Sequence, residues 1–346
     1  MTGATTKSDD PVTSPDRAAA PPEEGGAARA RPSGHRARAF MSRYGTIVFV
    51  LGVMAYFSLS AEHFLAAGNF KNIAVAIAPL AVLAAGLTVC LVAGDFDLSI
   101  ANNAILAAVV AAKVGVENDT VIWAFAAGIA TAVAVGFVNG LVVTKLGVNP
   151  FIATLAMGLF ILQGLGFVLS DTGTISSGMP DGFNSLGNDS FLGIRLLLWV
   201  AIGVLLVLWA VLKHTELGRR MDAVGGNPSA SRLAGIRLDR TRIAAFTISG
   251  LCAGITGILI ASEFNLANAN GQGTLLLDAF TAAFIGSATL SAGRFHIVGT
   301  AFGALVLGML TNGMTLVGVS SDYQSIYKGA ILIGAVAFAA LGRERR

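Results

Sequence analysis

The sequence predicts an all-α integral membrane protein, a polytopic bundle of about ten transmembrane helices. Three observations carry that prediction. Apolar residues make up 54% of the chain and charged residues only 12%, about half the charge of a soluble domain. The mean hydropathy is +0.72, so most of the surface must face something other than water. Beyond residue 43 the apolar residues gather into runs of about 20, long enough to cross a bilayer.

Residues 1–40 stand apart. They hold Pro11, Pro15, Pro21, Pro22 and Pro32 among Ala, Ser, Gly and charges of both signs. No apolar run there can form a signal-peptide core, and Asp9, Asp10, Asp16, Glu23 and Glu24 argue against an organelle transit peptide. The segment reads as a disordered cytoplasmic tail. Residues 41–346 form the membrane domain. Its expected spans are 44–60, 73–93, 99–116, 121–143, 150–170, 193–212, 242–263, 278–290, 296–317 and 323–342. The first and eighth are short. Pro150 opens the fifth span, where a missing N–H costs nothing. Pro79 falls inside the second, where it removes a hydrogen bond and should kink or interrupt the helix. Such a break is either a packing detail or the border of a transport pathway.

Charge placement sets the orientation. Arg29, Arg31, Arg36, Arg38 and Arg43 precede the first span, which puts the N-terminus inside by the positive-inside rule. Ten spans then place inside the polar stretch 213–242, which carries seven Lys and Arg. Arg294, Arg343, Arg345 and Arg346 also fall inside. The outer loop 171–192 holds Asp171, Asp181 and Asp189 and no Lys or Arg, and 264–277 holds no charge between Asn265 and Leu277. Lys71, Lys113 and Arg195 are the basic residues near the outer side. The net charge of +3 is a topology signal rather than a nucleic-acid signature, and the expected surroundings are membrane lipid. Both termini are expected on the cytoplasmic side.

The segment Val92-Ala-Gly-Asp-Phe-Asp-Leu-Ser-Ile-Ala-Asn-Asn103 joins spans two and three. Two carboxylates and two amides at the edge of an apolar region are costly unless satisfied. As a turn, Gly94 supplies the permissive backbone, and Asp97 or Ser99 caps the following helix. As a pathway, the same groups would line the route of a solute. A neutral polyhydroxylated solute needs amides and hydroxyls as donors and acceptors. On that ground Asn102, Asn103 and Gln163 are the pathway candidates. Asn139, Thr154, Glu263, Asn312 and Lys328 are the other polar groups within spans. Most such groups bond across helices, and Glu263 and Lys328 read as span-end residues that snorkel. Gly250, Gly254, Gly257, Gly299, Gly303 and Gly308 recur at helical spacing and favour close helix packing.

Catalytic chemistry finds no footing. The dipeptide Gly-Lys never occurs, so the phosphate loop with its lysine is absent, and ATP use requires another subunit. His35, His63, His214 and His296 form no metal-binding spacing, and Cys90 and Cys252 read as buried thiols. No metal site or bound cofactor is expected in this chain.

Four segments in order resemble the permease subunits of bacterial ATP-binding-cassette importers, in the ribose/xylose/simple-sugar branch. They are Gly94-Asp-Phe-Asp-Leu-Ser99; Asn139 through Leu155; Gly218 through Ile236, with Gly254-Ile-Thr-Gly257 downstream; and Leu277 through Arg294. The resemblance covers about residues 44–342. Ser229, Ser231 and the pair Ile100-Ala101 depart from the family's usual residues. The resemblance implies a permease domain over 41–346 that works as a homodimer. It implies an ATPase subunit with duplicated nucleotide domains, which uses ATP and magnesium, and an extracytoplasmic sugar-binding protein. It implies that 213–242 is the coupling segment, with Arg219, Arg220, Gly225, Gly226, Asn227, Arg232, Leu233 and Gly235 facing the ATPase. Import of a monosaccharide such as a pentose is the expected function. A self-sufficient secondary transporter or channel is the competing class; it predicts ion-coupling carboxylates deep within spans, whereas the acids here cluster at span edges. An importer permease for nucleosides or branched-chain amino acids is the alternative within the first class.

Overall fold

The computed structural model describes residues 51–270, 274–290 and 293–343. By its contacts the chain divides into Met1–Ser42 and Arg43–Arg346. All described residues belong to the second unit. The expected tail, and positions 44–50 of the first expected span, lie outside them.

Helices follow the ten expected segments closely. They are α1 (Leu51–Ser60), α2 (Ala67–Val92), α3 (Ile100–Asn118), α4 (Val121–Lys145), α5 (Pro150–Ala156), α6 (Gln163–Ser170), a short α7 (Ser185–Asn188), α8 (Leu196–His214), α9 (Glu216–Gly226), α10 (Pro228–Leu233), α11 (Leu238–Phe264), α12 (Leu275–Leu290), α13 (Ile297–Leu316) and α14 (Ser321–Arg343). Among the described residues seven helical segments are long and apolar enough to cross a membrane: α2, α3, α4, the unit Pro150–Ser170, α8, α11 and α13. α1 and α12 are apolar but shorter. The protein is thus a multi-pass, all-α membrane protein.

Local sequence sets the helix ends. Asn149 accepts the Phe151 N–H at 2.9 Å, with Pro150 at the first helical position of α5. Asn227 accepts the Ala230 N–H at 3.0 Å, with Pro228 opening α10. α3 and α11 stop at Asp119 and Asn265, both left-handed, a conformation these short polar side chains tolerate. α2 runs unbroken through Pro79, so the expected interruption does not occur. Thr256 on α11 donates to the Pro79 carbonyl at 3.3 Å, which ties the two helices together at this level.

α11 is the central helix and packs on α2, α3 and α4. Its small residues permit this. A Cβ on Gly250 would stand 2.4 Å from the Ala132 carbonyl oxygen of α4, and one on Gly257 would stand 2.0 Å from that of Ala104 on α3. α12 and α13 meet the same way at Gly303 and Ala282. By contrast α4, the α5–α6 unit and α8 turn large apolar side chains outward, among them Ile122, Phe160 and Val207. On a water-facing surface these would be a large apolar patch; on a membrane-spanning bundle such faces suit lipid or another apolar helix.

The turns gather at two ends. At one lie the 93–99 loop, α9, α10 and the ends of α4, α8 and α13: Lys145 pairs with Asp239 at 2.7 Å, and Val92, Lys213 and Ile297 share one groove. At the other, Thr174–Ile175 pairs antiparallel with Ala267–Asn268, and Arg195 lies 3.9 Å from Glu263. Lys328 does not snorkel. It is largely buried and pairs with Asp278 of α12 at 3.0 Å, because α14 packs on α12 and not at a free span end.

Candidate functional site at the 93–99 loop and α9

Asp97 is the hub of this junction. It is buried, and each carboxylate oxygen has donors. Oδ1 accepts the Ser99 N–H at 3.0 Å and the Ser99 hydroxyl at 2.6 Å; Oδ2 accepts the Ser249 hydroxyl of α11 at 2.7 Å. Ser99 Oγ in turn accepts from Asn139 Nδ2 of α4 at 2.8 Å. Thr154 of α5 reaches the same loop and accepts the Leu98 N–H at 3.0 Å. A buried carboxylate is tolerated when its lone pairs are met by donors; here Ser99 at the start of α3 and Ser249 of α11 meet them.

Of the two expected caps, Asp97 accepts backbone N–H groups at the start of α3, and the Ser99 alternative needs correction. Ser99 stands at the N-cap position of α3, but its side chain makes no capping hydrogen bond. Its hydroxyl is committed to Asp97 and Asn139, which leaves no geometry for the helix N–H groups. Gly94 meets its expectation, with φ of +86°, a turn conformation for which glycine is the default residue.

Asp95, two residues from the hub, is buried and takes both Nε and Nη2 of Arg242, the Nε contact at 2.7 Å. This two-point pairing ties the loop to the start of α11. No local signal in the sequence joins these residues, 147 positions apart.

α9 rests directly on this loop. A Cβ on Gly225 would lie 2.1 Å from the Val92 carbonyl oxygen, and one on Gly94 would lie 3.1 Å from Gly225 Cα. The two backbones touch. Gly226, its neighbour, faces open space. Asn227 is the cap of α10, and Gly235, with φ of +80°, makes the turn after it. Arg219, Arg220, Arg232 and Leu233 are exposed, Leu233 by 91%.

Of the three amides, Asn103 parts from the other two. Asn103 is buried and donates to the Ala132 carbonyl of α4 at 3.0 Å. Asn102 turns toward Gly158, whose added Cβ would lie 3.2 Å from its Nδ2. Gln163 is half-buried at the end of a π-helical turn, Met157–Leu162, that interrupts the fifth span. Such a turn inserts an extra residue and often accompanies functional sites; no glycine or proline pattern announced it.

At the same end His296 caps α13. Its Nδ1 accepts the Gly299 N–H at 2.6 Å, so this nitrogen carries no proton. Burial pushes the imidazole pKa below its ordinary value. Among the described residues no group of three His, Cys, Asp or Glu could hold a metal ion.

Fold and junction together define a multi-pass membrane protein in which an exposed helical segment bears on a buried polar knot. The family described as "Branched-chain amino acid transport system / permease component" matches residues 69–336. The ribose import permease protein RbsC of Escherichia coli (strain K12) is 34% identical over 303 residues, 86% of this chain and 94% of that protein. The L-arabinose ABC transporter permease protein AraH of Azospirillum brasilense is 32% identical over 306 residues, 88% of this chain and 90% of that protein. RbsC of Bacillus subtilis (strain 168) is 32% identical over 297 residues, 86% and 92% of the two chains. No solved structure matches. The chain belongs to this permease family. It is a transport subunit and not itself an enzyme.

Proposed function

We propose that the protein is the membrane-spanning subunit of an ATP-driven importer for a simple sugar, a pentose or a related polyhydroxylated solute. Two copies enclose the pathway in the bacterial inner membrane, with both termini in the cytoplasm. An ATPase with duplicated nucleotide domains docks on 213–242 and supplies hydrolysis of ATP with magnesium; an extracytoplasmic binding protein delivers the sugar. The relatives named for ribose and arabinose import support the substrate class. The observation that carries the mechanism is the backbone contact between Gly225 and the Val92–Gly94 turn. Force on α9 passes through that contact to α2 and α3. The hydrogen bonds of Asp97 and the Asp95–Arg242 pair spread it to α4 and α11. Arg219, Arg220, Arg232 and Leu233 form the docking face. Gly225, Gly226, Asn227 and Gly235 set its shape. Asn102 and Gln163, beside the π-turn, border the solute route. Asn103, bonded to α4, shifts with the wall of that route.

Proteoliposomes holding the permease together with an ATPase of duplicated nucleotide domains and a sugar-binding protein test the reading. Uptake of labelled ribose or arabinose that requires all three components and ATP is expected. Uptake by the permease alone would return the chain to the secondary-transporter class.

A further inference from the structure

Where α2, α8 and α13 end together, the fold leaves a groove of about 510 Å³. Val92, Lys213 and Ile297 mark the three helix ends on its wall. The groove therefore opens at the boundary of the membrane-spanning region. It borders α8, a helix whose Leu206 and Val207 point outward toward lipid. Its lining has two characters. Leu212, Ile297 and Val298 are apolar, and Val298 is 54% exposed. Lys213 and Arg219 supply two cations against one acid, Asp222, while His296 is held neutral by its cap.

Three other basic residues at this end are already committed, Lys145 to Asp239, Arg220 to Glu216 and Arg242 to Asp95, while Arg294, beside the lining residue Phe295, is exposed. Among the described residues no ion pair holds Lys213 or Arg219. The Lys213 ammonium instead stands 5.6 Å over the Trp209 ring. An indole beneath a cation at the end of a lipid-facing helix is the arrangement found at headgroup depth.

We propose that this groove binds an anionic phospholipid, its phosphate between Lys213 and Arg219 and its acyl chain along Leu212 and Val298. A basic recess between helices at the membrane boundary suits a phosphate headgroup. The apolar wall continues into the lipid-facing side of α8, which an acidic segment of a soluble partner would leave uncovered. The lipid would touch α8, α9 and α13 at once, so its occupancy would set how firmly α9 is held against the end of α2. The binding itself does not depend on which solute the protein carries.

Trp209 reports on the site. The chain has three tryptophans, and Trp123→Phe with Trp199→Phe leaves Trp209 alone. The protein is reconstituted in phosphatidylcholine vesicles containing brominated phosphatidylglycerol or, at the same mole fraction, brominated phosphatidylcholine. Half-quenching of Trp209 is expected at an about fivefold lower mole fraction of the brominated phosphatidylglycerol, the preference of one net cation for an anionic headgroup. Lys213→Gln with Arg219→Gln should abolish the preference while quenching by brominated phosphatidylcholine stays unchanged. Asp222→Asn should sharpen the preference, a gain that misfolding cannot produce. Equal quenching by the two lipids in the Trp209-only protein overturns the proposal. So does a preference that survives loss of both cations. A double variant that keeps the lipid preference but no longer captures the ATPase subunit would assign the groove to the protein interface instead.

Discussion

At the scale of single residues, two adjacent glycines separate structure from surface. Gly225 abuts the Val92 carbonyl, whereas Gly226 has no neighbour within 4 Å of an added Cβ. Gly225→Ala therefore forces α9 off the loop, an overpacking of about 1–3 kcal/mol, and sugar uptake should fall strongly at equal membrane abundance. Gly226→Ala should remain within about 0.5 kcal/mol of the parent in stability, so that docking of the ATPase is its one route to an effect on uptake. Paired uptake and melting measurements decide this, and equal behaviour of the two variants would dissociate transport from the contact. Asp97 makes a second graded case. Asp97→Asn keeps one acceptor oxygen and should retain part of the thermal stability in detergent. Asp97→Leu strands the Ser99 N–H and the Ser249 hydroxyl in a buried place, at about 1–3 kcal/mol each. A leucine variant as stable as the asparagine one would show that the knot contributes little.

At the scale of elements, α13 is held at its start by an imidazole, and that gives the protein a pH dependence. His296 has a folded pKa below its ordinary value of about 6.5 because it is partly desolvated. The unfolded chain thus binds the proton more readily than the folded one. The cap's contribution is complete above about pH 6.5 and is lost as the pH falls from there toward the depressed folded pKa. Thermal melting in detergent from pH 8 to 5 should show a stability decline in that window. His296→Asn, which keeps a capping oxygen without titrating, should flatten it. An identical decline in the asparagine variant would assign the pH dependence to other groups. The fifth span teaches a different lesson. It is one apolar run by composition, yet it divides into α5, a π-turn and α6. The division lies where Gly158 meets the backbone of Ser99, at 3.1 Å from an added Cβ. Packing against the 93–99 loop, rather than any breaker residue, accompanies the change of helix type.

At the scale of the whole molecule, the composition of residues 1–40 supplies a prediction of its own. A segment so poor in large apolar residues buries too little area to offset the entropy of ordering. Deletion of residues 2–36 keeps Arg38 and Arg43 as orientation signals, and uptake per permease should be unchanged. Reduced uptake at equal abundance would give the tail a specific task.

The bundle itself was legible because a lipid environment demands long apolar runs; of the ten counted along the chain, seven fall on described helices long and apolar enough to cross. Gly250 and Gly257 were legible as contact points because helices approach closely only over small residues. Gly94 was legible as a turn. Lys328, by contrast, reads as a snorkelling residue and is instead paired with Asp278 inside the bundle, 50 positions away. Ser99 reads as a helix cap and is a link between Asp97 and Asn139. Asn102 and Asn103 are neighbours in sequence but point to different helices, since successive residues of an α-helix are turned by about 100°.

The sequence by itself determined the class of protein, the order of its helices and the exposed polar segment, because hydropathy and turn chemistry act over a few residues. Tertiary structure alone decided that Asp95 finds Arg242, that Asp97 finds Ser249 and that Gly225 rests on the Val92–Gly94 turn. Those pairings depend on which helix faces lie together. A buried charge is stable only beside the partner the fold brings to it, and no local pattern names that partner.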